Sequence, residues 1–116
     1  MALPHAQPFD AIDIRPLAAG LLAAKSHSLI KTEKLQLIQL VLPAGQGLPE
    51  HRVPGEITVQ CIEGEVEVAT PTRPCRLRGG EVLVLPGSEP HAIKATRDAT
   101  LLATVLLHPC PGSTRS

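Results

Sequence analysis

Residues 42–68 read LPAGQGLPEHRVPGEITVQCIEGEVEV, and the change of texture inside this stretch decides the fold class. Its first half interleaves glycine and proline with polar residues, a composition that breaks a hydrogen-bonded ladder and turns the chain. Its second half becomes ITVQCI and EVEVAT, short runs of β-branched and apolar residues that read as strands. In EVEVAT, Glu65 and Glu67 fall on one face and Val66 and Val68 on the other, so this strand has one wet side. Between the two runs, Gly64 is expected in a tight turn where a positive φ is cheap only for glycine.

The same texture extends outward. LIKTEKLQLIQLVL precedes the stretch, and EVLVLP, HAIKAT and TLLATVLL follow it, separated by PTRPCRLRGG and PGSEP. Repeated short strands with no helices between them predict an antiparallel all-β domain, either a sandwich or a barrel. LQLIQLVL and LLATVLL are apolar at both parities and need cover on both faces. A homodimer contact would supply the outer cover; so would the N-terminal segment of the same chain. That segment, residues 1–27, reads as an arm followed by one short helix. Pro4 and Pro8 keep the arm extended, Ile12 and Ile14 flank Asp13 as in an edge strand, and Leu17, Leu21 and Leu22 give the helix its apolar side, weakened by Gly20. Residues 28–116 form the β-domain.

Composition excludes several functions. The chain has 116 residues, suited to one small domain, and 11 Lys+Arg against 11 Asp+Glu, so it has no basic footprint for nucleic acid or an anionic membrane surface. It has one Phe (Phe9) and no Trp or Tyr. Flavins, nucleotides and quaternary amines, which are commonly held by ring stacking or aromatic cages, are therefore not expected as ligands. Cys61, Cys75 and Cys110 form an odd set without a C-x-x-C pair, which argues against a disulfide framework or a cysteine-rich zinc site. MALPHAQPFDAIDI has no basic region leading into an apolar one, and a reducing, cytoplasmic location is expected. Ser26, Ser28 and Ser88 lack a nucleophile-elbow setting, and no glycine-rich phosphate loop is present.

Two motifs then stand in order. Gly45, His51 and Gly64 match three places of the pattern G-x5-H-x-H-x3,4-E-x6-G, and Gly80, Pro86 and His91 match G-x5-P-x-G-x2-H-x3-N, with a glycine displaced to Gly87 and Ala95 at the terminal Asn place. On these residues the chain resembles the cupins, small jelly-roll β-barrels also described as double-stranded β-helices. The resemblance implies a pocket inside the barrel. In metal-binding cupins the two motif-one histidines, the motif-one Glu and the motif-two His converge on one ion. Here His51 and His91 stand at two of those places, while Val53 and Ile57 occupy the others.

The resemblance thus implies a small-molecule pocket around His51 and His91, with a divalent ion such as Zn, Fe, Ni or Mn as an optional occupant. Two neutral imidazoles are fewer donors than a tight site normally uses, so a further ligand has to be sought. Glu56 adjoins the carboxylate place but points to the opposite face of a regular strand unless a bulge after Pro54-Gly55 turns it inward. Gln60 would line the pocket if the register shifts by one. Three functions fit: a small-molecule-binding cupin without an assigned reaction, a metal-dependent oxygenase or isomerase acting on a small polar acid, and a non-catalytic module that has lost its metal. Elsewhere, Cys61 reads as a small core residue, Cys75 as exposed in a turn, Glu63, Glu65 and Glu67 as surface charge, Arg76 and Arg78 as sharing a solvated face, His5 and His27 as solvated, and His108 as a strand end.

Overall fold

The computed structural model describes residues 5–107, so the readings of His108 and Cys110 lie outside the described residues. Seven strands follow a single 3-10 turn, Ala18–Ala23: β1 (His27–Lys31), β2 (Leu35–Leu42), β3 (Gly47–His51), β4 (Ile57–Ala69), β5 (Cys75–Arg78), β6 (Val82–Leu85) and β7 (His91–Leu106). All pairings are antiparallel. The all-β expectation is met, and the only helical segment among the described residues lies where Leu17, Leu21 and Leu22 placed it.

The frame is a ribbon of the two longest strands. β4 and β7 pair from Ile57↔Val105 to Ala69↔Ala92, with register shifts between Cys61 and Val66. One end of the ribbon carries β2 beside β7 and β6 beside β4, with β1 beyond β2; the other end carries β3 beside β7 and β5 beside β4. The two halves share one core. Val59, Cys61 and Leu101 from the first half and Val66 and Val68 from the second are all fully buried in a single apolar cluster. Among the described residues the hydrogen-bonded order is a path, β1-β2-β7-β4-β5 with two branches, and not a ring.

Three boundaries differ from the sequence reading, each for a local reason. Gly64 does not turn the chain back. It sits within β4 at φ +86°, where the strand is bulged and bends, and a Cβ there would collide with the Asp98 carbonyl. HAIKAT and TLLATVLL are one strand, because the same bend passes through β7 opposite Gly64 and needs no break in the pairing. LIKTEKLQLIQLVL is two strands, β1 and β2, joined through residues 32–34, where the Thr32 hydroxyl accepts hydrogen bonds from the Lys34 and Leu35 amides. Ile12 and Ile14 form no strand, and Gly47–His51, inside a segment read as irregular, forms β3.

The N-terminal segment covers part of the outer face of the first half. Leu21 is buried, and the orphan amides that open the 3-10 turn find an acceptor far away in sequence: Glu63 accepts from Leu17 N at 2.7 Å, from Ala18 N at 3.0 Å and from the Thr100 hydroxyl at 2.7 Å. Glu63 is thus a clamp, not surface charge. Glu65 and Glu67 do lie on the surface, paired across strands with Arg78 at 3.0 Å and Arg76 at 2.9 Å, and such exposed pairs contribute little to stability.

Burial pushes the Glu63 carboxyl upward, but the bonds from Thr100, Leu17 and Ala18 outweigh it and hold its pKa below the usual 4.5. A depressed folded value means the unfolded chain binds more protons, so the clamp's contribution is complete above the ordinary glutamate range and is lost as pH falls through the folded value. In paired denaturation curves, wild type is expected to exceed Glu63→Ala by about 1–3 kcal/mol at pH 7 and by progressively less below pH 4.5. A difference that stays flat across that range would contradict the clamp.

Candidate functional site

His51 ends β3 and His91 begins β7, and the two are direct partners across the ladder. Their ring centroids are 4.4 Å apart with the planes tilted by 59°. His91 is 2% exposed and on the inward face with Ile93 and Ala95, while His51 lies over it and faces solvent. The two imidazoles placed 40 residues apart by the motifs are therefore brought together, as expected from the sequence.

Each ring is oriented by its own backbone. His51 Nδ1 lies 3.1 Å from the Pro49 carbonyl and His91 Nδ1 lies 3.0 Å from the Glu89 carbonyl. A carbonyl only accepts, so each Nδ1 carries the proton and each neutral ring keeps its lone pair on Nε2. His27 makes the same local bond to Lys25, which shows that the bond is a habit of histidines at strand ends. What sets His51 and His91 apart is that the two oriented rings touch.

The loop before β7 holds His91 in place through one close approach. Gly87 leaves no room for a Cβ, which would collide with the Pro54 carbonyl, and Ser88 donates its amide to Val53 O at 2.7 Å with φ +65°. The motif's second glycine place falls on Ser88, and that residue keeps the left-handed backbone although it is not glycine. The glycine itself stands one residue earlier because the contact with Pro54 tolerates no side chain.

The other expected ligands are not brought to the pair. Val53 packs on the apolar cluster and Ile57 is within it. Glu56 is exposed, and its carbonyl accepts from Leu106 N at 3.0 Å at the far end of β7; the β4 pairing runs without a register shift from Ile57 to Cys61, so no bulge there turns it inward. Gln60 pairs with Val82 and Leu102 between the fully buried Val59 and Cys61, so strand alternation puts it on the outer face, away from His91. Among the described residues no group of three His, Cys, Asp or Glu side chains could hold a metal ion. Two imidazoles, with Val53 and Ile57 at the other two ligand places, do not fit a resident metal centre of the usual cupin kind.

A cleft of about 250 Å³ opens between the chain that follows β4, strands β5 and β6, and the loop before His91; neither imidazole lines it, so the expected pocket around the pair is not what the structure shows, and the link between the two is the loop alone. Leu83, Leu85, Pro86 and Cys75 give it apolar walls, and Arg73 and Glu89 give it charged ones. The Thr72 hydroxyl donates to Glu89 at 2.9 Å and ties the two loops together, and the Glu89 carbonyl is the same one that orients His91. Cys75 and Arg73 were the residues the sequence reading undervalued. Cys75 opens β5 and packs against the core, being neither exposed nor in a turn, because the pairing Val68↔Cys75 gives it an inward parity. Cys61 is a core residue as expected, and burial raises its thiol pKa.

The Cupin domain family profile matches residues 38–107. The chain belongs to the cupin family. Solved structures agree on the fold: a conserved Streptococcus pyogenes protein of unknown function superposes with a TM-score of 0.74 at 21% identity over 95% of this chain and 100% of that one. A cupin superfamily protein from Desulfitobacterium hafniense gives 0.73 at 21% identity over 89% and 100%. An RmlC-like cupin with a double-stranded β-helix fold from Methanocaldococcus jannaschii gives 0.68 at 21% identity over 77% and 84%. No curated protein matches the sequence. The cupin assignment gives the jelly-roll architecture and leaves the reaction open, since one fold carries many chemistries. No helix among the described residues is long and apolar enough to cross a membrane.

Gly87→Ala is expected to push the loop before β7 off Pro54 and cost about 1–3 kcal/mol by forced backbone movement. It should also shift the His51 and His91 ring resonances in NMR spectra, while His27 stays where it was. Unchanged ring resonances would show that the loop does not position the pair.

Proposed function

We propose that this cupin binds a small carboxylic acid, with His51 and His91 as polar contacts and the neighbouring cleft as the seat of the ligand's apolar part. The observation that carries the reading is the shared loop: Glu89 lines the cleft and its carbonyl orients the His91 ring. At about 250 Å³ the cleft lies below the roughly 300 Å³ at which drug-sized sites begin, which suits a compact molecule. The Arg73 guanidinium at its wall pairs naturally with a carboxylate, and a fork of N–H donors fixes the orientation of such a group. Either imidazole offers Nε2 as an acceptor when neutral and as a second donor when protonated.

The second reading is a divalent ion on the two Nε2 atoms, favoured by the matched tautomers of two touching rings. In that case the protein supplies two donors and the ligand or water must supply the rest. An oxygenase or isomerase would need such an ion with open positions; a binding module would not. The chain is also proposed to pair with a second copy through the outer face of its first half, where Val82 and Leu106 are exposed.

A thermal-shift screen of small carboxylic acids, run with EDTA and separately with each divalent metal, tests both readings. An acid present at 100 times its Kd stabilises the native state by about 2.7 kcal/mol, a shift of several degrees. The expected result is a shift in EDTA that His91→Gln and Arg73→Gln each abolish. A shift that requires metal would favour the second reading, and the absence of any shift, or one indifferent to both substitutions, would overturn the first.

A further inference from the structure

The charges on the outer face of β4 and β5 are spent on each other: Arg76 pairs with Glu67 and Arg78 with Glu65, as Arg15 does with Asp13 in the N-terminal segment. The cleft between β5 and β6 is different. Its charged lining residues are Arg73 and Glu89, one of each sign, and among the described residues neither belongs to an ion pair, with the other or with any third group.

Both residues sit on fixed backbone. The Thr70 hydroxyl donates to Arg73 O at 2.8 Å and accepts from Arg73 N at 3.1 Å, closing a local turn over residues 70–73. Thr72 Oγ1 donates to one oxygen of the Glu89 carboxylate at 2.9 Å, and among the described residues the other oxygen accepts no hydrogen bond. Arg73 is thus the next residue after the one that holds Glu89, about 3.8 Å along the chain. The two charges stand on one rim, near enough for a single small molecule to meet both, without neutralising each other.

That arrangement discriminates by ligand charge. A plain carboxylate at Arg73 brings a second negative charge beside Glu89, and a plain amine at Glu89 brings a second positive charge beside Arg73. A molecule carrying both groups pairs each of them and leaves the cleft neutral. The remaining wall, Leu83, Leu85 and Pro86, offers aliphatic surface and no aromatic ring. We propose that the cleft binds a zwitterion, a small aliphatic α-amino acid, with its carboxylate on Arg73, its ammonium on the free oxygen of Glu89 and its side chain on that wall. The proposal rests on the acid-binding reading above and adds to it the partner of a second, positive group.

NMR titration of the full chain with three probes of one skeleton tests it: L-leucine, 4-methylpentanoate, which lacks the amine, and 3-methylbutylamine, which lacks the carboxylate. Leucine is expected to bind at least about tenfold more tightly than either analogue, the scale of a hydrogen bond to a charged group, and to shift the amides of Arg73, Leu83, Leu85 and Glu89. Glu89→Gln keeps an acceptor for Thr72 and removes the charge, so it should bring leucine down to the affinity of 4-methylpentanoate; Arg73→Gln should weaken both. If 4-methylpentanoate binds wild type as tightly as leucine and Glu89→Gln changes neither, the zwitterion is overturned and the acid-binding reading stands. If 3-methylbutylamine binds as tightly as leucine, both are overturned. If none of the three probes shifts the cleft amides, this inference is overturned, and the acid-binding reading falls with it only where the wider acid screen is also blank.

Discussion

The bend in the β4–β7 ribbon is the constraint on which the rest of the structure depends. At Gly64 the two backbones approach so closely that a Cβ would overlap the Asp98 carbonyl. On the far side of the same bend, the Asp98 carboxylate accepts from Ala44 N at 2.8 Å and ties the β2–β3 connection to it. Folding the ribbon there turns the inward faces of its two ends toward each other, so that aliphatic side chains and one cysteine, without Phe, Tyr or Trp, form a core in a chain of this size. It also fixes which part of β7 is free to receive β3, and hence that His51 lands on His91.

The site is built at the far end of that ribbon and shows economy in its polar groups. Both rings are aimed by carbonyls two residues earlier in the chain, so their tautomers are set without help from acidic side chains. At the places where a metal-binding relative would add a histidine and a glutamate, this chain packs Val53 and Ile57 into the apolar core. The result is a pair of oriented rings, His91 buried beneath His51, whose loop also lines a cleft with apolar and charged walls.

Much of this was legible in the sequence, for reasons that can be named. Strand alternation identified EVEVAT as half-exposed, and the cross-strand pairs Glu65 with Arg78 and Glu67 with Arg76 follow from it. The two motifs placed His51 and His91 together because glycines at fixed offsets govern the local turns. What could not be read were features set by partners distant in the chain. Glu63 looked like one more surface acid until its oxygens were seen to take the amides of Leu17 and Ala18. Gly64 looked like a turn because a glycine with positive φ serves a bulge within a continuous strand equally well. Gln60 and Glu56 were plausible only if the register of β4 shifted near its start. It does not: the shifts come after Cys61, too late to turn either residue toward the pair.

The central claim is that the ribbon brings two oriented imidazoles into contact, and the most direct measurement is a long-range 1H–15N correlation spectrum of the histidine side chains, recorded at alkaline pH with a NOESY on the same sample. The account predicts Nδ1–H tautomers for both His51 and His91 and NOEs between their ring carbon-bound protons. Nε2–H tautomers, or rings with no NOE between them, would contradict it.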